Sequence, residues 1–237
     1  MQRLDLTRPS PAGNLALDEA LLDWAENRGG VETLRFWESP VEFVVLGYAN
    51  HAEIEVNLDA CREEGVPVLR RCSGGGTVLQ GSGCLNYNLV LRIDETGPTR
   101  SIHETNRFVM DRHRAAVEAV LAREITIQGH TDLTAGGLKF SGNAQRRRRN
   151  FLVFHGTFLL QFDLPRISRL LRRPSKQPEY RADRGHETFL TNLNISGEQI
   201  KSALRIAWKA DALLEQIPDD SALVMEKYSR DDWNRKF

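Results

Sequence analysis

The chain has 237 residues, 32 of them Lys or Arg and 32 Asp or Glu, with 41% apolar and 27% charged side chains. This composition excludes a disordered or collagen-like chain and a wholly basic nucleic-acid binder, and the length suffices for a sizeable core. No run approaches the ~18 apolar residues of a membrane span, and the polar start Met1 to Ser10 lacks the apolar segment of a signal peptide. Cys61, Cys72 and Cys84 lack C-x-x-C spacing, which argues against a zinc knuckle or disulfide framework and points to the reducing cytoplasm.

Asn14 reads as the cap of a first helix carrying Leu17, Leu21 and Trp24 at helical spacing and closed by Arg28-Gly29-Gly30. Thr33–Glu38 and Phe43–Gly47 follow as short strands split by Ser39-Pro40. Val66–Leu69 is strand-like. Leu85–Leu91 alternates strictly, with Leu85, Tyr87, Leu89 and Leu91 on one face and Asn86 and Asn88 on the other. Spacing alone favours a solvent-facing surface for the two asparagines, with a wet cavity as the alternative. A second helix spans Thr105 to about Leu121, and Phe151–Leu160 is an apolar strand interrupted by His155-Gly156. A third helix starts at Ser196, where Ser196 and Gln199 make a capping box. Strands come in runs with helices grouped among them, so the expected class is α+β, a mixed or antiparallel sheet flanked by helices in one domain, 1–237.

Charge is uneven. Lys139 to Arg184 holds twelve Lys or Arg against three acids, a net +9, so the remainder is net −9. Such a field suits phosphate groups or an acidic partner, although Arg146–Arg149 alone reads as a solvated turn.

Three stretches carry chemistry. Arg70-Arg71-Cys72-Ser73-Gly74-Gly75-Gly76-Thr77-Val78 sets a side-chain-free turn beside two guanidinium groups. Its backbone N–H groups can approach a ligand closely, but it is neither a P-loop nor a dinucleotide fingerprint. Lys139, followed by Ser141-Gly142-Asn143-Ala144, places a cation beside a small backbone. The lone His155 of Phe154-His155-Gly156-Thr157 reads more readily as a hydrogen-bonded core histidine than as a base, and Asp132 carries the same ambiguity. The residues alone reach a pocket for an anionic, phosphate-bearing ligand.

The ordered set R-R-x-S-G-G-G-T-V (Arg70 to Val78), G-x-x-D-L (Gly129 to Leu133), K-F-S-G-N-A-Q (Lys139 to Gln145) and H-G-T-F-L-L (His155 to Leu160) resembles the lipoate–protein ligase A family. That family belongs to the biotin/lipoate ligase and octanoyltransferase superfamily. Asn14–Ala20, Leu34–Trp37, Glu226-Lys227-Tyr228 and Asp232-Trp233-Asn234 extend the likeness over most of the chain.

The resemblance implies a ligase-like large domain without a C-terminal accessory domain. It would activate lipoate or octanoate with ATP and Mg²⁺ to an acyl-adenylate and acylate a lysine of a carrier. The implied carriers are lipoyl domains of 2-oxoacid dehydrogenase complexes or the glycine cleavage H protein, with both half-reactions completed either alone or with a separate small accessory subunit. It makes Lys139 catalytic. Adenylate contacts fall to Arg71, Ser73, Gly74, Gly75, Gly76, Thr77, Val78, Leu79, Gln80, Asn88, Asp132, Lys139, Gly142, Asn143, Ala144, His155 and Gly156, with Asp132 also holding Mg²⁺. The acyl chain would lie along Phe43–Leu46 and Leu85–Leu91. Gln80-Gly81 stands where many relatives carry His-Asp, and no cysteine lies near His130–Leu133, where some octanoyltransferases place theirs. The alternatives are an ATP-independent octanoyltransferase and a lipoyl-binding protein without turnover.

Overall fold

The computed structural model describes residues 1–237. Strand β1 (Gln2–Asp5) leads into α1 (Pro11–Arg28), then β2 (Thr33–Trp37) and β3 (Phe43–Leu46). Two short helices, α2 (Ala52–Glu55) and α3 (Leu58–Glu63), precede β4 (Val68–Arg70), β5 (Val78–Gln80) and β6 (Cys84–Arg92). Helix α4 (Ile102–Leu121) is followed by β7 (Thr126–Gln128), β8 (Asp132–Ala135), β9 (Leu138–Arg147) and β10 (Phe151–Leu159). Helices α5 (Leu164–Leu170), α6 (His186–Phe189) and α7 (Gly197–Trp208) and the short strand β11 (Ala212–Leu213) come next.

Eight strands form one mixed sheet in the order β11-β1-β2-β6-β10-β9-β8-β7, and β4-β3-β5 form a second, small sheet. No helix is long and apolar enough to cross a membrane.

The period-2 geometry of β6 divides the large sheet into two unlike faces. Leu85, Tyr87, Leu89 and Leu91 join Phe154, Phe158 and Phe140 against Val109, Met110 and Val117 of α4 and Ile200, Leu204 and Trp208 of α7. On the opposite face, Val90 and Val153 pack on Leu17 and Leu21 of α1. Further along that face the register aligns Arg35, Asn88, His155 and Ala144 in one row and Trp37, Asn86, Thr157 and Gly142 in the next. This polar patch is what α1 and the small sheet cover.

Several local expectations are corrected. Ser10, not Asn14, caps α1: its hydroxyl accepts from Gly13 N–H, and Pro11 supplies the preset first helical φ. Asn14 lies inside the helix, where its Oδ1 accepts from Arg8 N–H and from Arg35. Helix α4 starts earlier than expected, at Ile102, with Ser101 as cap. Asn86 and Asn88 are buried rather than solvent-facing, because tertiary packing covers their face. Neither His155 nor Gly156 interrupts β10, and Lys139 lies on a ten-residue strand rather than a short one. The capping box of α7 forms as its sequence requires.

The basic run is a solvated turn only in its second half, where the exposed Arg148 and Arg149 join β9 to β10. Arg146 and Arg147 continue β9. Arg146 donates to the Cys72 carbonyl and pairs with Glu19, and Arg148 pairs with Asp23. Arg166 pairs with Glu42 and Glu64, and Arg169 with Glu64. Much of the +9 stretch is therefore neutralised internally. Arg149, Arg172, Arg173 and Lys176 stay exposed with no carboxylate within ion-pair reach.

Candidate functional site

The glycine turn is shaped from beneath by a buried arginine. Arg71 Nη2 donates to the carbonyls of Gly74 (2.5 Å) and Gly76 (2.8 Å), its Nε to Ser73 Oγ (3.1 Å) and its Nη1 to the Val45 carbonyl (3.4 Å). Burial without a carboxylate partner pushes its pKa down to about 10, so it remains charged at neutral pH. The expectation that Arg71 binds the ligand charge directly is corrected: its donors hold the turn's own carbonyls. Those carbonyls point inward, and the N–H groups of the exposed Gly74, Gly75 and Gly76 donate to nothing in the chain. Free amides above a buried guanidinium make a concavity suited to anionic oxygens.

Glycine is required at two contacts here. Gly75 has φ +87°, and a Cβ on it would lie 2.9 Å from Arg71 Nη2 and 3.3 Å from the Ala144 methyl. A Cβ on Gly47 would sit 2.1 Å from the Gly75 carbonyl oxygen. Gly47→Ala is therefore expected to push the turn away and lower stability by about 1–3 kcal/mol, the usual range for overpacking. Gly74→Ala, with nothing within 4 Å, is the matched control. Denaturant midpoints that agree for the two variants would contradict this packing.

Lys139 lies on the same face of β9. A Cβ on Gly142 would be 2.9 Å from its Nζ, so Gly142 lets the amine lie flat on the strand. The amine pairs with Asp132 Oδ1 at 2.9 Å, and Tyr180 donates to Asp132 Oδ2 at 2.7 Å. Burial, then the neighbouring Asp132 charge, raises the Tyr180 pKa, so Tyr180 serves as a hydrogen-bond donor. The Lys139 side chain stays 25% exposed, and its carbonyl accepts from Thr191 N–H. Gly75 rests over Ala144 and Lys139 over Gly142, two strand positions about 7 Å apart on one face of β9.

Between α1 and the sheet runs a third polar line. Ser73 Oγ is 2.5 Å from His155 Nε2, and His155 Nδ1 is 3.8 Å from Asp18 Oδ2. Asp18 Oδ1 pairs with Arg35 Nη1 at 2.5 Å, and Trp37 Nε1 donates to Oδ2 at 3.3 Å. Burial alone would raise the Asp18 pKa, but Arg35 and His155 together hold it below the ordinary value. Asn88 Nδ2 donates to the Asp18 carbonyl at 3.4 Å, while its buried Oδ1 has no partner.

The remaining expected site residues divide. Gln80 joins Asn86 and Thr157 in a buried network on the polar face, and Thr77 Oγ1 donates to the Asn50 side-chain oxygen. Val78 is half-buried, and Leu79 packs into the core of the small sheet. Asn143 faces the other way: it accepts from Tyr87 O–H at 2.6 Å and donates to the Thr131 carbonyl at 2.5 Å. Gly156 makes room for it, since a Cβ there would lie 1.7 Å from Asn143 Oδ1. Asn143 and Gly156 thus lock the sheet rather than face a ligand.

The expected acyl lining also differs. Phe43–Leu46 and Leu85–Leu91 are packed into the cores. A cleft of about 1040 Å³ lies between α4 and α7, across the sheet from the turn.

ATP phosphates fit the free amides and the amine. No Mg²⁺ site is built ahead of ATP: both Asp132 oxygens are engaged, Oδ1 by Lys139 and Oδ2 by Tyr180. Asp132 pairs with Lys139 here, and an Mg²⁺ arriving on the ATP phosphates would need only one such carboxylate beside them.

Asp18, Arg35, Gly47 and Tyr180 were not singled out from sequence. Charged residues inside the otherwise apolar segments Leu15–Leu22 (Asp18 and Glu19) and Leu34–Trp37 (Arg35) were the available signal for Asp18 and Arg35.

Comparisons with known proteins agree with this geometry. The family profile of the lipoyl protein ligase A/B catalytic domain matches residues 10–217. A provisionally named lipoate-protein ligase A of Aeropyrum pernix is 32% identical, over 96% of this chain and 82% of its own. The octanoyltransferase LipM of Bacillus cereus is 26% identical, over 96% of this chain and 95% of its own. A crystal structure of a lipoate-protein ligase A bound with ATP superposes with TM-score 0.83 at 25% identity, covering 99% of this chain and 98% of that one.

Proposed function

We infer from its site that this chain, which belongs to the lipoyl protein ligase A/B catalytic-domain family, is an ATP-dependent lipoate–protein ligase. Residues 1–237 would act as one catalytic domain. A lipoate or octanoate carboxylate attacks the α-phosphate of ATP, pyrophosphate leaves, and the acyl group passes to a lysine of a lipoyl carrier domain. Lys139 neutralises charge developing on the phosphoryl and acyl oxygens, and the free amides of Gly74–Gly76 hold the same group from the other side. Mg²⁺ enters only as the counter-ion of the ATP phosphates.

One observation carries the choice of ligase over transferase. A charged amine and free amides face one strand, while all three cysteines are buried. Burial pushes the Cys72 thiol up to about 11 and the Cys84 thiol higher still. A thiol held protonated and away from solvent is a poor acyl acceptor. Relatives named as ligase and as octanoyltransferase both match the chain along nearly its whole length, so the test must separate the two reactions. Lipoate and Mg·ATP mixed with the protein should release pyrophosphate. Octanoyl transfer from an acyl-carrier protein without ATP would instead favour the transferase.

The exposed Arg172, Arg173 and Lys176 offer a positive surface to an acidic carrier domain. Steering of this kind weakens within a Debye length, about 10 Å at 0.1 M salt. The KM for the carrier should rise several-fold between 20 and 300 mM NaCl (conditions on the order of those that collapse the Debye length). An unchanged KM would exclude such steering.

A further inference from the structure

We propose that Ser73, His155 and Asp18 form a proton relay that removes the proton from the acceptor lysine's amine as the acyl group is transferred. The proposal rests on the acyl-transfer reading above, but concerns a step to which that reading assigns no residue.

Three elements converge to build the relay: the loop after β4, the centre of β10 and the first half of α1. The carboxylate of Asp18 lies 3.8 Å from His155 Nδ1, which favours the tautomer with its hydrogen on Nδ1; in that tautomer Nε2 accepts from Ser73. Ser73 Oγ lies 2.5 Å from that nitrogen. The same oxygen accepts from Arg71 Nε at 3.1 Å, which stabilises negative charge on it while a proton is in flight. Asp18 is itself fixed by Arg35 and by Trp37 Nε1, so it acts as a positioning residue. The charged groups facing His155 are Asp18 on α1, Arg35 on β2 and Arg71 on the turn; Asn88 of β6 and Ala144 of β9 are its uncharged neighbours in the sheet.

The chemistry balances. The free amine of the acceptor lysine attacks the acyl carbon, its N–C bond forms, and the C–O bond to the adenylate phosphate breaks, with AMP leaving as the anion. The nitrogen, now cationic, gives a proton to Ser73 Oγ as Ser73 passes its own to His155 Nε2. The imidazolium so formed faces Asp18. Gly74–Gly76, which carry the amides assigned to the acyl-adenylate, directly follow Ser73 in the chain; Ser73 itself is only 1% exposed, so the relay requires the arriving amine to come within hydrogen-bond reach of a buried hydroxyl.

Lys139 and the amides act in both half-reactions, whereas this relay acts only in the second. Ser73→Ala and His155→Gln should each slow single-turnover transfer from chemically synthesised lipoyl-adenylate to a lipoyl domain by about 100-fold or more, within the range of general-base catalysis. Pyrophosphate release from lipoate and Mg·ATP should fall much less, so that the ratio of transfer rate to adenylation rate drops by about tenfold or more. Because the residues act as one unit, the double variant should be no slower in transfer than the slower single variant. Equal losses in both half-reactions, additive losses or unimpaired transfer would each overturn the relay. Native protein that transfers from supplied adenylate but releases no pyrophosphate would sink the ATP-dependent reading alone, since the relay is scored on the supplied adenylate.

Discussion

Lys139→Ala is expected to lower both pyrophosphate release and acyl transfer by two to three orders of magnitude. The reasoning is electrostatic. The amine lies over Gly142 on the face where the turn's free amides open, and negative charge develops there in both steps. Removing one such preorganised donor costs ~3–4 kcal/mol of barrier. The variant should still fold, because the side chain is 25% exposed and its loss leaves Asp132 with its bond from Tyr180. The check is a pair of half-reaction assays on protein whose melting temperature is within a few degrees of native. Loss of transfer alone, with adenylation intact, would confine Lys139 to the second step and contradict its shared role.

The second large effect is on stability. Arg35 is fully buried, pairs with Asp18 and also donates to the carbonyls of Leu6 and Asn14. Arg35→Leu would leave Asp18 as an uncompensated buried carboxylate, a change that costs about 3–5 kcal/mol. Set against a typical total of about 5–15 kcal/mol, that is a large share. A fall in melting temperature of roughly 6–20 °C should follow for a chain of this size.

The pH dependence has a definite sign. Arg35 and His155 hold the folded pKa of Asp18 below the ordinary carboxylate value despite its burial. The unfolded chain therefore binds the proton first, and the stabilisation from this group is complete above about pH 4–5 and lost as the pH falls through the folded value. Arg35 shifts the other way energetically, since burial lowers its pKa despite Asp18. The pair as a whole therefore adds little net stability, while breaking it is expensive. Native and Arg35→Leu proteins with equal melting temperatures at pH 7 would refute this.

Where local chemistry decides, the sequence was informative. The capping box at Ser196 and the alternation of Leu85–Leu91 each named an element that forms. The four ordered motifs pointed to a family that the whole-chain comparison shows. What spacing could not supply was which face of β6 the rest of the chain would cover. Asn86 and Asn88 are buried because α1 and the small sheet, distant in sequence, close over them. For the same reason Arg146 and Arg148 could not be matched in advance to Glu19 and Asp23, which lie more than a hundred residues away. Arg71 was recognisable as important beside three glycines. That its donors turn inward to their carbonyls is a property of the folded loop.

The central claim is that the Lys139 amine and the Gly74–Gly76 amides bind one activated acyl group between them. The most direct measurement is a structure of the protein loaded with lipoate and Mg·ATP. The account predicts an adenylate whose phosphoryl or acyl oxygen lies about 3 Å from Lys139 Nζ and from at least one of those three amide nitrogens. An ordered adenylate bound elsewhere, for instance in the cleft between α4 and α7, with Lys139 still paired only to Asp132, would contradict it.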